Sequence, residues 1–508
     1  MLRAFGPARR IVESPNYKWW AYSAIAIGMF LTVMDQSGVN IALPRIAEHF
    51  DADIPTVQWI TLGYILSTSA MLMPMGRLSD MIGRKRVYLI GFVIFVVAAA
   101  FGGSSPTFAL LVVAKVLQGI GSAAIQANGM AMIIEVFSER ERGKALGLYM
   151  TVIGTGSISG PIVGGLLVSA LDWRSVFYAS VPVGLLAMAV ALVALRGGKP
   201  TADPGSKQRT FDWPGAALSS GALIVFLLAM TNGHRLGWTA PLIAAGLAVA
   251  VLLLAVFIWW ERRASDPILD LDFFSNRVFS MGVGARFLSF LGGSAVFFLM
   301  PFYLVQGLGY SAGRAGLLMV PGSICMAVIG PLSGRLSDRF GTRWPAVAGM
   351  MLSAAAMFTF SRLTVDSPAI HVIGGMMLSG LGMGTFSSPN SSAIMSSVGR
   401  ARYGIASAFL NLTRTSANVS GIVLATTVVT LTMASFGYEP NLSAVSGSGG
   451  EGVRVSFVLG LRRAFLVSGG LMIFAMVLSL LRGEASVETA PAPRADAADA
   501  SAPAVSDD

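Results

Sequence analysis

Four ionisable side chains stand inside long apolar stretches of the sequence: Asp35, Lys115, Arg286 and Arg414. A carboxylate at the centre of a membrane-spanning helix costs about 2.5 to 3.5 kcal/mol, so one that is kept there has work to do. Desolvation favours its neutral, protonated form and a nearby cation favours its ionised form, so Asp35 under both influences can take up and release a proton. Lys115 is a suitable cation, because each residue lies about eight positions from the same end of its apolar run, roughly 12 Å at 1.5 Å per residue. A buried lysine can also give up its own proton, which an arginine does not, or reach the interface on its long stem. Gln118, three residues beyond Lys115, extends the polar network, and Arg414 is a second candidate counter-charge. Arg286 either faces the interior or reaches the nearer interface. No Asp or Glu lies deep in any apolar run after Arg286. An interior cavity should therefore be net positive apart from Asp35, which suits neutral, zwitterionic or anionic amphiphiles better than dications. Met150, Phe298 and Tyr303 would suit an adaptable apolar lining, or simple packing.

Other chemistries are not supported. The sequence has no phosphate-cradling loop of the Walker type, so ATP-driven work is not expected. His49, His234 and His371 are scattered without metal-ligand spacing, no catalytic triad is evident, and Cys325 is the lone cysteine. The expectation is a chain with no metal and no cofactor that is not an enzyme. The formal charge of +10 is spread over short loops rather than one patch, so no nucleic acid is expected.

Long helices in a membrane must position these groups. Hydrophobic residues make up 54% of the 508-residue chain and charged ones 12%, about half the soluble norm of roughly a quarter. Runs of about twenty apolar residues recur, each enough to cross about 30 Å of hydrocarbon. Lipid offers backbone groups no partner, so the runs are helices and the expected fold class is all-α integral membrane. Six spans are drawn within residues 20–196: Trp20 to Leu43, Val57 to Met75, Val87 to Gly102, Phe108 to Ile134, Ala145 to Leu171 and Val176 to Leu195. A region at 197–278 adds Pro214 to Met230 and Ala240 to Trp260. Six more fill 279–482: Phe279 to Val305, Ala315 to Leu332, Trp344 to Phe360, Ile370 to Ser388, Gly404 to Phe436 and Ala464 to Leu481. The first span carries no evident cleavage site. Residues 1–19 form an N-terminal segment, and the Ala/Pro-rich tail at 483–508 is expected to be disordered. With these spans, loops on the N-terminal side hold 25 Lys and Arg, opposite loops 8, and spans 3. The bias puts both termini in the cytoplasm of a multi-pass protein in the plasma (inner) membrane.

The chain repeats itself. Gly76-Arg77-Leu78-Ser79-Asp80 returns as Gly334-Arg335-Leu336-Ser337-Asp338, and Gly83 as Gly341. Gly119 and Gly121 match Gly380 and Gly382, while Ser159-Gly160 matches Ser420-Gly421. Two six-helix bundles on one plan therefore flank an inserted pair of spans that has no counterpart and no deep charge, suited to filling space between the halves.

Three stretches carry a family resemblance. GRLSDMIGRKR, from Gly76 to Arg86, resembles the loop signature between spans two and three of the major facilitator superfamily. GSISGPIVGG, with Gly156, Gly160, Pro161, Gly164 and Gly165, is similar to that superfamily's antiporter signature. DQSGVNIALP, opened by Asp35 with Asn40 and Pro44 in register, resembles the first-span signature of the fourteen-span drug:proton antiporter family. KVLQGIG departs from the related pattern by placing Lys115 where arginine stands. The resemblance implies a major facilitator fold, two six-helix bundles plus two inserted spans, and a proton-coupled secondary exporter of hydrophobic or amphipathic compounds working by alternating access. It implies proton coupling at Asp35 with Lys115 or Arg414. A cytoplasmic gate is implied at Gly76, Asp80, Gly83, Arg84 and Asp338, with Lys85 and Arg86 pairing to carboxylates across it. A close-packed antiporter helix is implied at Gly156, Gly160, Pro161 and Gly164, bent at Pro161, and a cavity bearing Asn40, Gln118 and Arg286. Expected partners are a small amphipathic substrate, a proton and membrane lipid, with the chain a monomer. A lipid or amphiphilic metabolite exporter, an importer keeping the exporter signature, and a non-transporting scaffold or sensor remain alternatives.

Overall fold

The computed structural model describes residues 16–137, 139–195, 212–237, 240–263, 271–398, 403–439 and 450–483. The expected disordered tail lies outside these residues apart from Gly483, as do most of the linker and the first fifteen positions. Among the described residues the regular structure is all helical. Fourteen long helices are present: α1 (Tyr17–His49), α2 (Ile54–Ile82), α3 (Arg84–Gly103), α4 (Phe108–Val136), α5 (Glu139–Ala170), α6 (Arg174–Ala194), α7 (Trp213–Leu236), α8 (Pro241–Glu261), α9 (Arg277–Phe302), α10 (Ala312–Phe340), α11 (Arg343–Phe360), α12 (Ala369–Ser396), α13 (Tyr403–Ser435) and α14 (Gly450–Leu481). Eleven of them contain a described stretch long and apolar enough to cross a membrane.

Helix starts follow from local chemistry. Asp53 accepts from the Thr56 amide at 3.0 Å to cap α2, and Ser311 accepts from the Arg314 amide at 3.3 Å to cap α10, the repeat-related helix. Such a cap satisfies one of the donors a helix leaves open at its first turn. Between α2 and α3, Gly83 adopts φ +100, and Gly341 adopts φ +80 between α10 and α11. Only glycine takes that backbone without strain, which explains its recurrence in both copies of the loop motif.

The repeat reads directly as packing. In the first bundle α1 packs on α5 and α6, α4 on α2 and α3, and α3 on α6. In the second bundle α9 packs on α13 and α14, α12 on α10 and α11, and α11 on α14. Gly121 lets α4 approach α3 so closely that a β-carbon would stand 2.7 Å from the Gly91 carbonyl; at Gly382, in α12, one would stand 2.8 Å from the Gly349 carbonyl of α11. Small residues that bring backbones together drive helix association where lipid removes the usual hydrophobic drive.

The halves meet through α5 on α10 and, by the same exchange, through α13 on α2, with α1 against α9. The inserted α7 and α8 pack on one another, and α7 also touches α2 and α13, one helix from each half. Sequence reasoning placed no buried charge here, yet Glu261 at the end of α8 is buried. Asp212, capping α7, lies beside it and accepts the Trp260 indole N–H at 2.7 Å.

The buried apolar clusters are unequal at the two ends. One cluster joins the halves and includes Leu43, Trp173, Leu299 and Ala312, toward the His49 end of α1. At the Tyr17 end each half has its own cluster, one with Ile25, Tyr88 and Phe137, the other with Phe279, Val283 and Leu410. Among the described residues, the cluster shared by both halves is the one that includes these residues at the His49 end.

Candidate functional site

Asp35 lies near the middle of α1, turned into the first bundle. Lys115, on α4, donates to Asp35 Oδ2 at 3.0 Å, and both side chains are sealed from solvent. Gln118 closes a triangle: its Nε2 donates to Asp35 Oδ1 at 2.9 Å while its Oε1 accepts from Lys115 Nζ at 2.6 Å. From α6, Ser180 Oγ donates to Asp35 Oδ1 at 2.8 Å. The Lys115 ammonium also lies 4.6 Å from the centre of the Tyr64 ring and 5.5 Å from that of Phe177, whose π faces attract a cation. Tyr64 in turn donates to Ser122 at 2.7 Å.

A buried ion pair repays its desolvation only when hydrogen bonds satisfy the remaining lone pairs and protons, and this one is so surrounded. The structure brings together Asp35, Lys115 and Gln118. Arg414 lies on α13 of the second half, where its charge bears on Arg286. Ser180, Tyr64 and Phe177 escaped sequence reasoning because uncharged residues in apolar helices carry no signal of their own.

A cavity of about 190 Å³ lies between the halves. From α1 it is lined by Val33, Gln36, Ser37 and Asn40, spaced as one helix face, and Asn40 accepts from Thr61 at 3.3 Å. Phe297, Phe298, Met319 and Met376 supply apolar wall, and Asn418 a carboxamide from α13. None of the described residues lining it is ionisable. That corrects the expectation of a net-positive cavity. Of the side chains expected there, Asn40 lines it, whereas Gln118 is turned inward to the ion pair. Arg286 is held off the cavity by Ser391 at 3.0 Å and the Leu410 carbonyl at 3.4 Å. Phe298 lines the cavity, while Tyr303 donates to the Thr364 carbonyl at 2.7 Å away from it. The Met150 side chain lies outside the described residues.

The glycines of α5 hold α1 in place. A β-carbon on Gly160 would stand 2.7 Å from the Met34 carbonyl, and one on Gly164 2.8 Å from the Gly38 α-carbon. One on Gly156 would stand 3.1 Å from the Val33 β-carbon. The opposite side of the same helix touches the second half: a β-carbon on Gly165 would stand 2.6 Å from the Ala312 carbonyl, Pro161 faces Gly316 of α10, and Ser169 Oγ accepts from the Gly313 amide at 2.7 Å. The antiporter-like stretch therefore packs α1 on one side and seals the halves on the other.

In the loop motif the Asp80 and Asp338 side chains lie outside the described residues. Gly76, expected to admit a neighbouring helix, has open space where a β-carbon would stand. Lys85, expected to pair across the gate, donates instead to the Leu192 carbonyl at 2.7 Å and to the Leu195 carbonyl. A cation completes the open carbonyls at the C-terminal end of α6, so its partner lies within its own bundle. Arg84 is half-buried at the start of α3.

Comparison with known proteins agrees with this architecture. The family model described as Major Facilitator Superfamily matches residues 25–232 and 213–422. The riboflavin transporter RibZ of Clostridioides difficile is 32% identical over 77% of this chain and 84% of that protein. The puromycin resistance protein pur8 of Streptomyces alboniger is 31% identical over 94% of each. The tetracenomycin C resistance and export protein of Streptomyces glaucescens is 35% identical over 69% of this chain and 64% of that protein. Among solved structures, a bacterial homologue of the human lysosomal transporter Spinster superposes with a TM-score of 0.67 at 17% identity, covering 92% of this chain and 97% of that one, a likeness of fold. With the two-bundle helical fold, the interlobe cavity and these relatives in agreement, the chain belongs to the major facilitator superfamily of membrane transporters.

Proposed function

We propose that this chain is a proton-coupled secondary exporter of hydrophobic or amphipathic compounds, of the fourteen-span drug:proton antiporter type. It would lie in the plasma (inner) membrane as a monomer with both termini in the cytoplasm, as the charge bias of its loops supports. The observation that carries the reading is the sealed Asp35–Lys115 pair, braced by Gln118 and Ser180, on the helix whose other face lines the central cavity. Protonating Asp35 cancels its attraction for Lys115 and removes an acceptor from Gln118 or Ser180. The tie between α1 and helices α4 and α6 then loosens. Gln36, Ser37 and Asn40 ride on the same rigid helix, so a small rotation of α1 changes the cavity wall. The apolar cluster shared by the halves at the His49 end, with separate clusters at the Tyr17 end among the described residues, supports alternating access in which the halves rock about a central site.

The relatives named for resistance to puromycin and for export of tetracenomycin C support drugs as cargo. The relative named a riboflavin transporter favours a second reading, an amphiphilic metabolite as cargo. Proteoliposomes loaded with a pH dye and challenged with tetracenomycin C, puromycin and riboflavin test both. Substrate-dependent proton flux that is lost in Asp35→Asn is expected. Full proton flux in that variant would overturn the coupling.

A further inference from the structure

None of the described residues that line the central cavity is ionisable, and two of the charges near it are engaged elsewhere. Asp35 is held by Lys115, Gln118 and Ser180, and Arg286 by Ser391 and the Leu410 carbonyl. A cargo bearing an ammonium or carboxylate in this cavity would lose its hydration and meet no counter-ion among the described residues that line it, a transfer that is heavily penalised. Uncharged polar groups are well received. Gln36 from the first half and Asn418 from the second both face the cavity and make no hydrogen bond among the described residues, leaving each carboxamide its full donor and acceptor capacity. Ser157 and Ser294 spend their hydroxyl protons on carbonyls of their own helices, at 3.1 and 2.9 Å, which leaves their oxygens free to accept. Phe297 and Phe298 offer ring surface beside these groups.

We infer that the cargo is a net-uncharged, ring-bearing compound with hydrogen-bonding groups at opposite ends, spanning Gln36 and Asn418. The inference rests on the transporter reading and narrows its substrate class, and it leaves the Asp35–Lys115 pair without direct contact to cargo.

The test is equilibrium binding to the purified full chain, without any gradient, of three N-substituted 4-amino-1,8-naphthalimides, each with a ring amine at the end opposite the imide, that differ only in their side arm: hydroxyethyl, trimethylammonioethyl and carboxymethyl. The hydroxyethyl compound is expected to bind at least tenfold more tightly than either charged partner. Gln36→Ala and Asn418→Ala should each weaken it five- to tenfold without lowering the melting temperature. Asn418→Asp and Gln36→Glu should each shift preference toward the ammonium compound. Equal or tighter binding of a charged member by the wild-type chain overturns the inference, and so does failure of all three to bind. Because no gradient is used, loss of proton coupling in the liposome assay with this selectivity intact would sink the coupling and leave the cargo class standing. Reversed selectivity with coupling intact would do the opposite.

Discussion

Asp35 and Gln36 are neighbours in sequence but serve opposite sides of α1: the carboxylate is sealed against Lys115 in the first bundle, and the carboxamide opens into the cavity between the bundles. Successive helical residues point about 100° apart, so one helix carries a buried ion pair on one side and cavity lining on another. In the proposed mechanism, coupling passes through the rigid body of α1.

Asp35→Asn removes the titratable group and keeps the shape. The amide oxygen still accepts from Ser180 or Gln118, and Lys115 can shed its proton once its counter-charge has gone. The expected result is gradient-driven transport reduced at least tenfold, with binding of neutral cargo within twofold of wild type and little change in melting temperature. Gradient-driven uptake in everted vesicles beside equilibrium binding separates the two quantities. A parallel collapse of binding would count against the division between the ion pair and the cavity.

Lys115→Met leaves Asp35 buried with no cation, a loss that costs about 3 to 5 kcal/mol if the carboxylate stays ionised. Taking up a proton relieves that cost, so the variant should be more stable at low pH than at high pH, the melting temperature falling as pH rises. The double variant Asp35→Asn with Lys115→Met should recover stability without recovering coupling. Thermal melts from pH 5 to pH 9 check this sign, and a pH-independent loss in the single variant would remove Asp35 as its cause.

Much of this was legible from residue types. The repeated motif and the apolar runs implied two bundles, and equal depth brought Asp35 and Lys115 together. The neutral cavity was not legible, because helix rotation decides it: Gln118 turns inward and Arg286 turns to Ser391, and no spacing rule gives the rotation of a helix that is apolar on every side. Ser180 and Tyr64 were hidden for a simpler reason. A hydroxyl in an apolar span is common, and only its neighbour in space makes it a ligand for a carboxylate. The loop motif misled at Lys85, whose charge suggested a distant carboxylate while the nearer carbonyls of α6 took it.

Gly160→Ala should be far more damaging than Gly76→Ala. The first would push a methyl group against Ser37 and to within 2.7 Å of the Met34 carbonyl, forcing α1 off α5; the second enters open space. Overpacking of this kind costs about 1 to 3 kcal/mol, and more where backbone must move. Expression, melting temperature and transport of the two variants side by side provide the check, and equal tolerance would show that α1 and α5 do not need this approach.

Gly316→Ala probes the seam between the halves without entering either core. Its methyl would meet the Pro161 carbonyl of α5, and the amide of neighbouring Gly313 already donates to Ser169 across the same seam. Since a β-carbon there cannot be accommodated without separating α5 from α10, the variant should populate conformers parted at the His49 end. Cysteines introduced by Ser169→Cys and Gly313→Cys, in a background where Cys325→Ser removes the native thiol, report that distance by disulfide formation. Cross-linking should be efficient in the parent and at least fivefold slower with Gly316→Ala, while the separate apolar clusters at the Tyr17 end leave each bundle's melting behaviour unchanged. Unaltered cross-linking would mean that the seam yields locally and that the halves are not held by it.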